Sequence, residues 1–337
     1  MTEKGNRYFA SANSAEGFVS YFGEVFGSCR RLYVIKGGPG TGKSRFMSEV
    51  AKRAHEVERY YCSSDASSLD GILIDGWVGL VDGTAPHVWE PYCVGAFEQI
   101  VNLGEFWNER LLTASRAEIE MLSEQKRNCY SQAYAYLAAI GQAERGIDGR
   151  LREALMKDKL RRAASRFLRD VKGDCRAKRQ IGLCSAIGMM GQAHFDTYEK
   201  QKISIAISDG VGLAWFLLEE LDTLCRVRGI SGRVAPSALF PQRLEAIELT
   251  GQGLSFFAGE GEDAVYMKKF FDVKKMRALR PVLRGTRETQ NRLKDYALEA
   301  LARASEAHFA LEKIYSETMD FRAKEQFTEE FCKRLFG

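Results

Sequence analysis

The chain opens with short apolar alternations and closes with long helical repeats. Residues 8–11 fit a strand, and Phe18, Tyr21, Phe22 and Phe26 recur at helical spacing, which predicts an amphipathic helix over 15–26. Leu32, Tyr33, Val34 and Ile35 form a continuous apolar run of buried-strand length that ends at a glycine-rich loop. Phe46, Met47 and Val50 then mark the inward side of a helix over 43–55. Further strands are predicted at 58–62, 71–74 and 77–81, separated by Ser, Asp and Gly turns. Strands interleaved with helices in this way make an α/β lobe.

From about residue 114 to 171 the pattern becomes helical: Ile119, Leu122, Lys126, Cys129, Ala133, Tyr136 and Ile140 recur at coiled-coil-like spacing. Gly146 and Gly149 predict a break, and Leu160, Ala164, Phe167 and Val171 a second helix, so the segment is expected to fold back as an antiparallel helical hairpin. The remainder reads as a worn copy of the beginning. Leu183-Cys184-Ser185-Ala186 echoes Phe9-Ala10-Ser11-Ala12, and Ile203 to Ile207 echoes the strand before the loop. Asp209-Gly210-Val211-Gly212-Leu213-Ala214 then stands for Pro39 to Ser44, and Gly253-Leu254 for Gly79-Leu80. Leu293, Ala297, Ala300, Ala304, Ala307, Leu311 and Ile314 close the chain with a second long repeat, whose alanines allow close helix contact. The predicted organisation is a lobe over 1–112, a basic helical hairpin over 113–175, a degenerate lobe over 176–262 and a helical segment over 263–337.

A hydrophobic content of 45% beside 28% charged residues suits a globular chain, and no apolar run reaches membrane-spanning length. No signal-peptide core follows Met1, so a cytoplasmic setting is expected. Eight scattered cysteines without a C-x-x-C pair point to reduced thiols. The net charge of +4 is nearly balanced, yet residues 144–179 hold 13 Lys/Arg against 6 Asp/Glu, so the basic character is local. Within that segment Arg161, Arg162, Arg166, Arg169 and Lys172 are where nucleic acid or an acidic partner could dock, although a solvated helix face is the favoured reading. His55, His194 and His308 stand alone and are assigned no role. Phe97, Phe106 and Trp107 are read as packing a helix.

The sharpest chemistry lies in Gly37-Gly38-Pro39-Gly40-Thr41-Gly42-Lys43-Ser44, which satisfies G-x-x-x-x-G-K-[ST] between a strand and a helix. Glycines let successive backbone N–H groups curl toward phosphate, and the positive end of the following helix also favours anions. Lys43 supplies charge to the β- and γ-phosphates, and the Ser44 hydroxyl suits Mg²⁺. A second metal anchor is expected at a strand end: Asp82 is favoured, with Asp75 as its rival. For orienting or deprotonating water the candidates are Asp65, Asp70, His87 and Glu90, although for each residue by itself capping a loop is the favoured reading. Thr84 or His87 could sense a γ-phosphate, and Arg45 could cover the phosphates or face solvent.

With these residues in place, the chain resembles a family of bacterial P-loop ATP-binding proteins built as two related halves. The likeness is carried by residues 8–17, the loop 35–44, Cys62-Ser63-Ser64-Asp65 with Ser68 to Gly71, Val81 to His87, Asn102 to Trp107, and Met319-Asp320-Phe321. The resemblance implies a P-loop NTPase lobe, a duplicated architecture, ATP with Mg²⁺ as ligands, and a cytoplasmic setting. Members carry a phosphate loop in each half. This chain departs from that, because Leu213 and Ala214 are read at the places of the lysine and the hydroxyl residue, leaving one competent site. The expected function is a slow or partner-stimulated ATPase, any protein partner meeting the helical hairpins. The alternatives are a nucleotide or small-molecule kinase with Asp65 as base, and an ATP-gated scaffold without useful turnover.

Overall fold

The structure, a computed structural model, describes residues 5–173, 177–208, 210, 212–261 and 263–337. Asp209 and Val211, two members of the loop expected in the second half, lie outside the described residues, as does Cys175. The first half contains β1 (Arg7–Phe9), β2 (Ser11–Ser14), β3 (Gly17–Ser20), α1 (Phe22–Phe26), β4 (Arg31–Lys36), α2 (Lys43–Ala51), β5 (Val57–Tyr61), β6 (Leu69–Ile74), β7 (Val78–Asp82), β8 (Glu98–Asn102), α3 (Glu109–Ala114) and α4 (Arg116–Ala154). There follow α5 (Lys157–Phe167), β9 (Arg179–Ile181), β10 (Ser185–Gly188), β11 (Gly191–His194), β12 (Ile203–Ser208), α6 (Trp215–Val227), β13 (Gly232–Pro236), β14 (Leu244–Leu249), β15 (Leu254–Ala258), β16 (Val265–Tyr266), α7 (Val273–Glu317) and α8 (Phe321–Phe336).

Two six-stranded sheets result, with identical wiring. The first runs β1-β5-β6-β7-β4-β8 and the second, from its matching edge, β9-β13-β14-β15-β12-β16. In both, the third strand is antiparallel to its two neighbours and the remaining pairs are parallel. The repeat read from the sequence is therefore a repeat of topology, and each lobe also carries a small hairpin, β2-β3 or β10-β11. The lobes meet where Phe9 and Leu183 exchange both backbone hydrogen bonds at 2.9 Å. Across the same junction Arg233 stacks on the Tyr8 ring and pairs with Glu58 at 2.5 Å.

Of the aromatic set, Phe106 and Trp107 pack on helices as expected, through Phe327 of α8 and Tyr315 of α7, while Phe97 leads into β8. Two expectations are corrected. The helix over 15–26 is confined to α1, because Gly17, at φ 92°, turns the chain into the β2-β3 hairpin. Gly146 and Gly149 do not break α4, which runs 39 residues through both. Each is exposed, and a Cβ on either would meet nothing, so each weakens the helix without ending it.

The expected hairpins also pair differently. The partner of α4 is not α5 but α7, and the two run antiparallel, with Ala133, Leu137 and Ile140 against Ala297, Ala300 and Leu301 and Leu122 near Leu311. At about 1.5 Å per residue each helix is long enough to carry the chain from one lobe to the other. Leu155, just past α4, bridges to Phe271 of the second lobe, and Met319, just past α7, bridges to Trp107 of the first. The next helix then covers the lobe just reached: α5 lays Leu160 and Ala164 on the second core, and α8 lays Phe327 and Phe331 against Phe46 of the first. Among the described residues no helix is long and apolar enough to cross a membrane.

Near the second-lobe end of the pair, ten residues before α4 ends, Glu144 is buried and accepts from Arg243 at 2.5 Å, from Arg287, and from Gln290 at 2.9 Å. Burial pushes its carboxyl up, but the hydrogen bonds from the two arginines outweigh it and hold the group at about 2. Because this folded value lies below the ordinary 4.5, the stability it contributes is present above pH 4.5 and is lost as pH falls toward 2. Glu144→Ala removes the buried carboxylate that Arg243 and Arg287 share and is expected to cost about 3–5 kcal/mol, whereas Gly146→Ala is expected to add roughly 1 kcal/mol. Urea unfolding at pH 7 checks both, and an acid titration of the wild type checks the loss.

Candidate functional site

Strand β4 lies between β7 and β8, parallel to both, so the loop it feeds opens at the carboxyl edge of three adjacent strands. In the loop 37–44, Gly40 and Gly42 take φ of 69° and 79°, a conformation that L side chains rarely adopt. Gly42 caps α2 with no side-chain acceptor, which leaves the first N–H groups of the helix for an anion. The loop's outer wall is gripped by the far end of the chain. A Cβ at Gly38 would strike the Tyr315 ring at 2.7 Å, and one at Gly40 the Glu312 carbonyl at 2.4 Å. These glycines thus serve close packing as well as curl.

Lys43 Nζ donates to the carbonyls of Gly37 at 3.1 Å and Gly38 at 2.8 Å and stands 3.6 Å from Asp82 Oδ2. Thr41 Oγ1 donates to Gly38 at 2.9 Å, and Ser44 Oγ accepts the Leu69 N–H at 2.9 Å. Asp82 ends β7 directly across from Ile35 and accepts from the Thr84 N–H and hydroxyl at 2.9 and 2.6 Å. Burial raises its carboxyl above the usual range, with the Lys43 ammonium opposing the rise. Lys36 pins the following turn by donating to the carbonyls of Gly83 and Trp89 at 2.8 and 3.0 Å.

The other candidates separate. Asp75 is exposed at the β6-β7 turn, at φ 49°, where it accepts the Glu56 N–H, so it is not beside the loop. Arg45 pairs with Glu325 of α8 at 3.0 Å on the outside of the molecule, the solvent-facing of its two readings, and not over the loop as a cofactor-binding residue. Glu90 is 81% exposed and pairs with Lys36. Asp65 accepts from Ser67 N and Oγ at 3.0 and 2.7 Å, the bonding of a turn cap, although its charge is felt by His308 and Glu312 facing the loop. Asp70 and His87 form a buried pair at 2.8 Å, with the imidazole stacked on Phe22 and edge-on to Phe18. Burial pushes His87 down, but the Asp70 charge prevails and raises it. The basic tract places Arg161, Arg162 and Arg166 on one side of α5, Arg161 lying 3.7 Å from Glu220.

The two long helices bring residues that sequence reasoning missed. Lys126 and Tyr130 come from α4, His308 and Glu312 from α7, and Lys126 Nζ lies 3.1 Å from His308 Nδ1, while Tyr130 donates to Ser64 at 2.8 Å. The available signal was Lys126 itself, a cation within an otherwise apolar helical stripe. Burial and the Lys126 charge push His308 down to about 4.

In the second lobe α6 begins as far beyond Ile207 as α2 begins beyond Ile35, so Trp215 and Phe216 hold the places of Lys43 and Ser44. That shifts the expected correspondence by two residues and leaves its consequence unchanged, since neither side chain offers an ammonium or hydroxyl. Ala258, the last residue of β15, stands for Asp82. A cavity of about 700 Å³ lined by Trp215, Arg243 and Glu245 opens there. Comparison with protein-family models, with curated proteins and with solved structures finds no match.

His308 is expected to be neutral at pH 7 and to gain its proton near pH 4 in an NMR titration. Since its folded value is depressed, its contribution to stability is present above pH 6.5 and is lost as pH falls toward 4. Lys126→Met should move the midpoint upward; an unmoved midpoint would show that the two groups do not interact.

Proposed function

We propose that the first lobe is a Mg²⁺-dependent ATP site of the P-loop NTPase type that hydrolyses ATP slowly or on stimulation by a partner, and that the second lobe is its degenerate structural copy. The observation that carries this reading is the Lys43 ammonium, poised between the loop carbonyls and the Asp82 carboxylate at the end of an adjacent parallel strand. The loop donors and Lys43 would hold the β- and γ-phosphates, and Ser44 and Asp82 fit the two protein anchors of a metal. Mg²⁺ held there would supply charge neutralisation, and Lys43 would exchange its bonds to the Gly37 and Gly38 carbonyls for phosphate oxygens.

A modest turnover follows from what surrounds Asp82. Gly83, not a glutamate, comes next, and the carboxylates nearby are engaged: Asp70 with His87 and Asp65 with Ser67. That engagement also weighs against Asp65 as a kinase base. Coupling to the rest of the molecule is short, because the wall of the loop rests on Tyr315 and Glu312 of α7, which reaches the second lobe. A change of loop shape on hydrolysis would therefore press on the helical pair, the surface assigned to a protein partner. The cytoplasmic setting and the resemblance to two-halved bacterial ATP-binding proteins belong to the same reading.

Lys43→Ala is expected to weaken Mg²⁺-ATP binding by about 100-fold, the loss of one or two charge-assisted hydrogen bonds, with the fold retained. Calorimetric titration checks it, and unchanged affinity would remove the proposal. Asp82→Asn should lower Mg²⁺-dependent binding and phosphate release, while Asp75→Asn should not. Phosphate release without an acceptor supports the ATPase, transfer to an acceptor a kinase, and tight binding with neither a scaffold.

A further inference from the structure

Beside the loop, three donors of different chemistry converge: the Cys62 thiol, an Asp70 carboxylate oxygen and an imidazole nitrogen of His87 all lie within 4.8 Å of one another. Asp70 and His87 are 5% and 6% exposed, so water is scarce there. Their own satisfaction is incomplete. Asp70 Oδ2 pairs with His87 Nε2 at 2.8 Å, whereas His87 Nδ1 is buried with no hydrogen-bond partner among the described residues. A buried imidazole nitrogen left in this state needs a further partner. The ring is held in place by its stack on Phe22, at 4.7 Å between centroids.

The second lobe serves as an internal control. Ser237 directly follows β13 as Cys62 directly follows β5, Glu245 is second in β14 as Asp70 is second in β6, and the connection after β15, 259–264, is shorter than the 83–97 connection after β7 and holds no histidine. The thiol has thus become a hydroxyl and the imidazole is lost in the lobe whose Lys43, Ser44 and Asp82 counterparts are Trp215, Phe216 and Ala258. Glu245, moreover, is hydrogen-bonded by Ser185. A trio needed only for folding has no reason to change together with the phosphate chemistry.

We propose that Cys62, Asp70 and His87 form a site for a borderline-soft divalent cation of the zinc class. One sulfur, one nitrogen and one oxygen donor match that class better than Mg²⁺ or Ca²⁺, which take oxygen. Binding replaces the Cys62 S–H bond by a metal–sulfur bond and releases the proton to solvent. Asp70 and His87 separate slightly, since ligands of one cation at about 2.0–2.2 Å stand farther apart than 2.8 Å. Three protein donors leave a fourth position open. The charge of Asp70 already reaches Asp82, and that of Lys43 reaches His87, so the cation would add positive charge next to the loop. The site does not depend on ATP binding and is testable without nucleotide.

The test uses the reduced full chain, stripped with a chelator and titrated with Co²⁺ as an optical probe, then with Zn²⁺ in competition. One equivalent of Co²⁺ with a thiolate-to-cobalt charge-transfer band, displaced by Zn²⁺, is expected. Cys62→Ser should abolish the band, and His87→Gln should weaken Co²⁺ binding beyond the roughly 100-fold that loss of an outer partner costs. Lys43→Ala and Asp82→Asn should leave the band unchanged. Circular dichroism confirms that each variant is folded. A folded wild type that takes up neither metal, or a band that persists in Cys62→Ser, overturns the site.

Discussion

The architecture depends on how closely α4 and α7 approach. Ala133 on one helix and Ala297, Ala300, Ala304 and Ala307 on the other are all buried, and their small side chains let the two backbones run side by side for most of their length. That approach delivers each half of the chain to the opposite lobe, where α5 or α8 completes the core. Neither lobe is closed by its own half alone. The Glu144 network locks the register near the second lobe and ties it to Arg243, which precedes β14 of the second sheet. Larger residues along the seam would act twice, by separating the helices and by drawing away the covers of both cores.

Local signals carried much of the fold. Leu32 to Ile35, the glycine loop and the start of α2 are read within a dozen neighbouring residues, and the structure places them as expected. The alanine repeat of α7 was equally legible, because a long helix writes its buried face at constant spacing. What failed depends on distant partners. Phe18 and Phe22 suit either a helical or a turning chain, and only Gly17 decides in favour of the hairpin. Gly146 and Gly149 look like a break until α7 and the second lobe hold the helix together around them. The choice of α7 over α5 as partner of α4 is a matter of which apolar faces meet, a quantity absent from either segment alone.

The candidate site divides along the same line. Lys43, Ser44 and Asp82 were legible because strand ends and a loop gather them locally. Lys126, His308 and Glu312 reach the same space from helices near the middle and the end of the chain, and a lone lysine in an apolar stripe was their only trace. Duplication sharpens the division. What both lobes share, namely sheet order, hairpins and exchanged helices, is what folding requires. What only the first retains is the ammonium, the hydroxyl, the strand-end carboxylate and the Cys62-Asp70-His87 trio, groups whose chemistry concerns charge.

On the proposed function, polyphosphate chemistry belongs to one lobe of a symmetric frame. Equilibrium dialysis of the full chain against saturating Mg²⁺-ATP, with bound nucleotide counted per chain, tests this most directly. One equivalent is the predicted result; two would mean that Trp215 and Phe216 do not disable the second lobe, and none would mean that the loop 37–44 is not a nucleotide site.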